Sequence, residues 1–221
     1  MKLRLLFLFF FCLCQSPVFA GDIVGQVTVY ARDGKEPLSS FADAVVYVDG
    51  VQTPPPPKAA ILDQSGKQFL PRVLPVVRGQ TVEFWNRDAV QHNVFSPHPQ
   101  HGFDLGRYPR DEFRSVVFEQ ADRYKIYCDL HQRMIADILV LPNRYFAVSD
   151  ESGSYRIEGV PPGNYVLRAW HIFGGSNSTA VSVGETESRA DFSLVSTKVV
   201  REIETHKDKR GRDYLDRFFN N

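Results

Sequence analysis

Apolar residues in this chain recur at every second position in short runs, and turn residues close each run. Period two is the side-chain repeat of a strand with one buried face. No stretch carries the 3.6-residue repeat that an amphipathic helix long enough for an α/β fold would need. The pattern predicts an all-β chain. Strands are expected at residues 24–30, 44–48, 69–77, 81–85, 90–96, 115–118, 124–128 and 136–141. Beyond Pro142 they are expected at 155–157, 165–170, 179–183 and 189–194. Asp33-Gly34, Gly79-Gln80, Asp150 to Gly153 and Pro161-Pro162-Gly163-Asn164 supply turn chemistry. Pro54 to Pro57 form a rigid connector that cannot sit inside a sheet. Residues 97–110, broken by Pro and Gly, read as a long surface loop.

The first twenty residues stand apart from this pattern. Lys2 and Arg4 precede an apolar run from Leu5 to Cys14, and Val18 and Ala20 are small residues ahead of Gly21. That is the layout of a cleavable secretory signal, with an apolar run too short to span a bilayer. The expectation is a periplasmic or secreted protein without stable membrane insertion. The whole chain has 26 basic and 26 acidic residues, so loss of Lys2 and Arg4 leaves a net charge of about −2. No concentrated basic face points to nucleic acid.

Cysteine and methionine usage narrows the chemistry. Cys12 and Cys14 belong to the leader and Met1 starts it, so Cys128 and Met134 are the sole thiol and thioether of the processed chain. They lie six residues apart with His131 midway. Alternation puts Tyr124, Ile126 and Cys128 on one face of a strand, and a short loop separates that strand from the next. Such a loop brings a thiolate, an imidazole and a thioether to one point. Soft sulfur ligands with imidazoles suit copper, and a trigonal His₂Cys set with a weak axial Met is the electron-transfer form. The second imidazole has to come from elsewhere, and His92 is well placed just after strand 81–85. His98 and His101 read as solvated loop histidines, with an accessory metal site as the alternative. His171 reads as structural, and His206 lies in the tail.

Phe69-Leu70-Pro71, Gly79, Val82-Glu83-Phe84, Asn86, His92-Asn93 and Cys128-x₂-His131-x₂-Met134 together resemble a cupredoxin over about residues 59–142. The ligand loop is compact, similar to that of amicyanin and shorter than that of plastocyanin. The resemblance implies a Greek-key β sandwich holding one type 1 copper on His92, Cys128, His131 and Met134. It also implies that Asn93 ties the two ligand loops together and hydrogen-bonds toward the thiolate. The chain departs from the pattern at Leu130, where such proteins carry Pro, and at the charged Asp129 and Arg133. A second resemblance lies in Asp150-x-x-Gly153-x-Tyr155-x-Ile157-x-Gly159-Val160-Pro161-Pro162-Gly163-x-Tyr165. It is similar to a carboxypeptidase regulatory-like (transthyretin-like) β sandwich, and Gly25-x-Val27 with Ala44-x-Val46 resembles that module's opening strands. Chains that pair the two modules often carry a methylamine-utilisation label.

The expected organisation is a signal at 1–20, opening strands at 21–57, a cupredoxin domain at 58–143, a regulatory-like module at 144–197 and a charged tail at 198–221. Residues 22–50 belong either to the regulatory-like module, split by the cupredoxin, or to the cupredoxin sheet. Val199, Val200, Ile203, Tyr214, Leu215, Phe218 and Phe219 make the tail either a short amphipathic helix or a frayed end. No nucleophile elbow, phosphate-cradling Gly loop or His-x-x-x-His helix is present, and four copper ligands would leave no position for a substrate. An enzyme is therefore not expected. Outer-sphere electron transfer with a partner of unknown identity is the leading expectation. Copper storage, delivery or tolerance is the alternative, and an adhesion or scaffold role is the third reading.

Overall fold

The computed structural model describes residues 20–198 and 205–213, and within them the only regular elements are strands. In chain order these are β1 (Gly21–Tyr30), β2 (Ala44–Asp49), β3 (Ala60–Ser65), β4 (Gln68–Leu70), β5 (Val73–Val77) and β6 (Thr81–Asn86). There follow β7 (His92–Ser96), β8 (Phe103–Tyr108), β9 (Phe113–Val117), β10 (Arg123–Cys128), β11 (His131–Leu141) and β12 (Phe146–Val148). The last are β13 (Ser154–Val160), β14 (Gly163–His171), β15 (Ser176–Val183), β16 (Ser188–Arg189) and β17 (Phe192–Val195). Residues 1–19, where a secretory signal is expected, and the tail residues Val199, Val200, Ile203, Tyr214, Leu215, Phe218 and Phe219 lie outside the described residues. No helix among the described residues is long and apolar enough to cross a membrane.

Two β sandwiches result. In the first, sheet β5-β11-β10-β7-β8 packs on sheet β4-β3-β6-β9. Leu62, Phe84, Val94, Tyr108, Phe118, Ile126 and Ile138 fill the space between them. Leu62, Phe84 and Ile126 are inward members of alternating runs, and removal of this apolar surface from water drives the two sheets together. In the second, sheet β12-β2-β14-β15 faces β1 with its partners β13, β16 and β17. Ile23, Val27, Val46, Val48, Leu167, Phe192 and Leu194 form that core. Strands β1 and β2 therefore hydrogen-bond to strands from the far end of the chain, and neither is paired with β3 to β11. A smaller cluster of Val45, Val73, Leu141 and Ile172, with Trp170 against it, joins the two cores.

Several elements differ from the sequence expectation for identifiable reasons. The run 69–77 is two strands, because Pro71 lacks the N–H that a continuous ladder requires. Residues 97–110 are not all loop: β8 forms a hairpin with β7, pairing Ser96 with Phe103 and His92 with Tyr108. Gly106 and the flanking prolines hide that strand in the sequence. Strand β3 goes unread because its second inward residue is Gln64, fully buried and donating to Tyr108 Oη at 2.6 Å. The run 189–194 divides into β16 and β17, and the short β12 was not anticipated. Residues 205–213 form a docked turn rather than a helix or a frayed end.

Candidate metal centre

Cys128 closes β10 with its side chain in the core, as alternation from Tyr124 and Ile126 requires. Asp129 and Leu130 make the turn, and β11 begins at His131, which pairs with Cys128 after a register shift in the hairpin. The shift bends the strand end and aims His131 back over the cysteine. His92 opens β7, which lies beside β10 through Phe95 and Tyr127, and its ring is fully buried.

Three donor atoms converge. Cys128 Sγ lies 3.8 Å from His92 Nδ1 and 3.7 Å from His131 Nδ1, and the two nitrogens are 3.1 Å apart. The point equidistant from all three is about 2.1 Å from each. Zinc–imidazole and zinc–thiolate bonds are roughly 2.0 and 2.3 Å, so the triangle has the size a first-row ion requires. His92, Cys128 and His131 are the one group of metal-binding His, Cys, Asp or Glu side chains found among the described residues. Met134 is fully buried on β11 and packs in the same core cluster as Cys128.

The electrostatics suit a cation. Burial pushes the Cys128 thiol up, while backbone N–H groups of Asn93, Leu130 and His131 facing the sulfur pull it back. Burial, then the neighbouring His92, hold His131 below the ordinary imidazole value. A metal ion reverses the thiol's preference by deprotonating it outright.

Supporting groups fix the donors. The Asn93 side chain bridges the two loops: its Oδ1 accepts the Asp129 N–H at 3.0 Å, and its Nδ2 donates to Asp104 at 2.6 Å and Gly106 O at 3.1 Å. What faces the sulfur is the Asn93 backbone amide, not its side chain. Asp88 was not foreseen. Its carboxylate lies 2.7 Å from His92 Nε2 and accepts the N–H groups of Gly66 and Lys67 at 2.7 and 2.8 Å. With Nε2–H given to Asp88, the lone pair of His92 lies on Nδ1 and points at the site. Its position four residues before a candidate ligand is the only signal the sequence offered.

His98, His101 and His171 lie elsewhere. The His98 ring stacks on Tyr124 and His101, with Nε2 3.1 Å from Asp122 and Nδ1 accepting the His101 amide. Both ring nitrogens of His98 are therefore occupied, one by the loop's own backbone and one by Asp122 just before β10. His171 is buried and bonded to Ala42 O at 3.0 Å.

No family model matches the chain, and no curated protein matches it. Among solved structures, a mutant amicyanin in the Cu(I) state is 20% identical, covers 43% of this chain and 98% of its own length, and has a TM-score of 0.37. A purple cupredoxin from Nitrosopumilus maritimus is 24% identical, with 37% and 99% covered and a TM-score of 0.34. A copper-containing nitrite reductase from Thermus scotoductus is 24% identical, with 42% of this chain, 24% of that chain and a TM-score of 0.37. All three likenesses leave more than half of this chain uncovered.

Proposed function

We propose that this chain is an exported type 1 copper protein that carries single electrons, in which His92, Cys128, His131 and Met134 would hold one copper ion. The observation that carries the reading is the triangle of two Nδ1 atoms and one Sγ, closed by 3.1, 3.7 and 3.8 Å sides in a buried pocket. Bound copper would supply a Cu(I)/Cu(II) couple, a chemistry that soft sulfur donors beside imidazoles suit. The chain's own residues keep the donors still. Asp88 orients His92, Asn93 ties the Asp129 amide to β7, and the β10–β11 hairpin fixes Cys128 against His131. His131 is half-buried and lines a surface groove beside Phe69 and Leu70, which makes it the short route for an electron to a partner.

Full burial of Cys128 and His92 favours a carrier over a store or a delivery protein, which needs exchangeable ligands. Cu(II) added to the purified protein is expected to give an intense visible sulfur-to-copper band, absent in Cys128→Ser, and reversible voltammetry. A colourless protein that takes up only Cu(I) would reject electron transfer in favour of storage.

A further inference from the structure

The C-terminal segment 205–213 crosses back onto the metal loop from 75 to 80 positions away in sequence. The His206 N–H donates to Gln132 O at 3.2 Å, and its Nε2 lies 3.3 Å from His131 O. The ring stacks on Tyr127, the neighbour of Cys128, with centroids 4.3 Å apart and planes inclined by 18°. Three residues on, the Lys209 N–H donates to Asp129 Oδ1 at 3.2 Å, and Lys209 Nζ reaches Asp104 at 2.6 Å. Asp104 is also the carboxylate that accepts from Asn93. Between these anchors, the buried Asp208 carboxylate accepts the N–H groups of Arg210 and Arg212 at 2.9 Å each, and Arg212 Nε at 3.0 Å. Those bonds hold the turn that presents Lys209.

Between Cys128 and Arg133, a segment outside both sandwiches thus holds the Asp129 side chain and the carbonyls of His131 and Gln132. Asp129 is a charge where a loop of this kind carries small or apolar residues, and it is 3% exposed. The segment accounts for it: Asp129 receives Lys209 on one oxygen, with Arg107 at 3.5 Å from the other.

We propose that residues 205–213 are a clamp built into the metal centre, with His206, Asp208 and Lys209 as positioning residues that hold the Asp129–Gln132 turn in its ligating shape. The proposal rests on the copper reading for its consequence, and on the hydrogen bonds alone for its structural content. Outer-shell groups of this kind change metal affinity by roughly 10–100-fold when removed.

Two full-length variants test it. His206→Phe keeps a ring over Tyr127 and loses the bond to His131 O, while Asp208→Ala unties the turn that presents Lys209. In metal-free protein, amide hydrogen exchange at residues 129–133 is expected to accelerate roughly tenfold or more in each variant, with β3, β6 and β14 unchanged. This readout needs no copper, so it stands apart from the test of the copper reading. In copper-loaded protein, transfer of the ion to a chelator is expected to speed by roughly tenfold, with a shifted visible band. If Asp208→Ala does not fold, His206→Phe alone decides. Wild-type exchange at 129–133 together with wild-type copper release in the folded variants would overturn the clamp.

Discussion

His92 presents one ring nitrogen to the donor triangle and the other to Asp88, so the carboxylate decides which nitrogen carries the proton. Asp88→Ala is expected to lower copper affinity by roughly 10–100-fold in chelator competition while leaving the sulfur-to-copper band in place. His171 makes a separate prediction. Burial is the main cause holding it below the ordinary 6.5. The unfolded chain therefore binds the extra proton first, so stability is full above pH 6.5 and falls as pH drops below it. Denaturant midpoints of metal-free protein at about pH 7.5 and pH 5 should show this loss, and His171→Gln should reduce it. At this scale the sequence disclosed what is local. The juxtaposition of Cys128 and His131 is legible because one strand, one turn and the next strand bring them together. Asp104, His206 and Lys209 act through tertiary bonds that no spacing encodes, and Asp129 looked anomalous because its partner lies 80 residues on.

The β10–β11 hairpin carries three of the four proposed ligands, Cys128, His131 and Met134, and its stability is a requirement of the site. Asp137 is fully buried on β11, with Arg123 at 2.6 Å and Lys125 at 3.0 Å, both on β10. Breaking a buried pair leaves charge without compensation, although Arg123 and Lys125 keep 31% and 21% exposure and are partly relieved by water. Asp137→Ala should cost about 2–4 kcal/mol in equilibrium unfolding. In the other sandwich, Gly153 sits at φ 87°, and an added Cβ would come 2.1 Å from Val27 O. Gly153→Ala is expected to destabilise by about 2 kcal/mol or more, through both the backbone conformation and the clash with β1. Strands with clean alternation, β1, β10 and β14 among them, were readable. Strands β3 and β8 were not, since a buried Gln64 and the turn-forming Gly106 break the pattern that marks a strand.

Two cores in one chain need not unfold together, but here several contacts couple them. Val73 and Leu141 of the first sandwich cluster with Val45 and Ile172 of the second. Arg72 lies over Phe173 at 5.4 Å and Arg123 over Trp170 at 4.9 Å. Metal-free protein is expected to unfold in one calorimetric transition, which Trp170→Ala should separate into two. Free copper at 100 times its dissociation constant should add about 2.7 kcal/mol to the native state, and a chelator should remove it. The alternating pattern disclosed the all-β architecture, but not how the sheets pair across the chain, because pairing between residues far apart leaves no local trace. X-ray absorption at the copper edge of the loaded protein tests the proposed copper centre. Two imidazole nitrogens and one sulfur are expected in the inner shell, the sulfur disappearing in Cys128→Ser. An inner shell of nitrogen and oxygen without sulfur in the wild-type protein would contradict it.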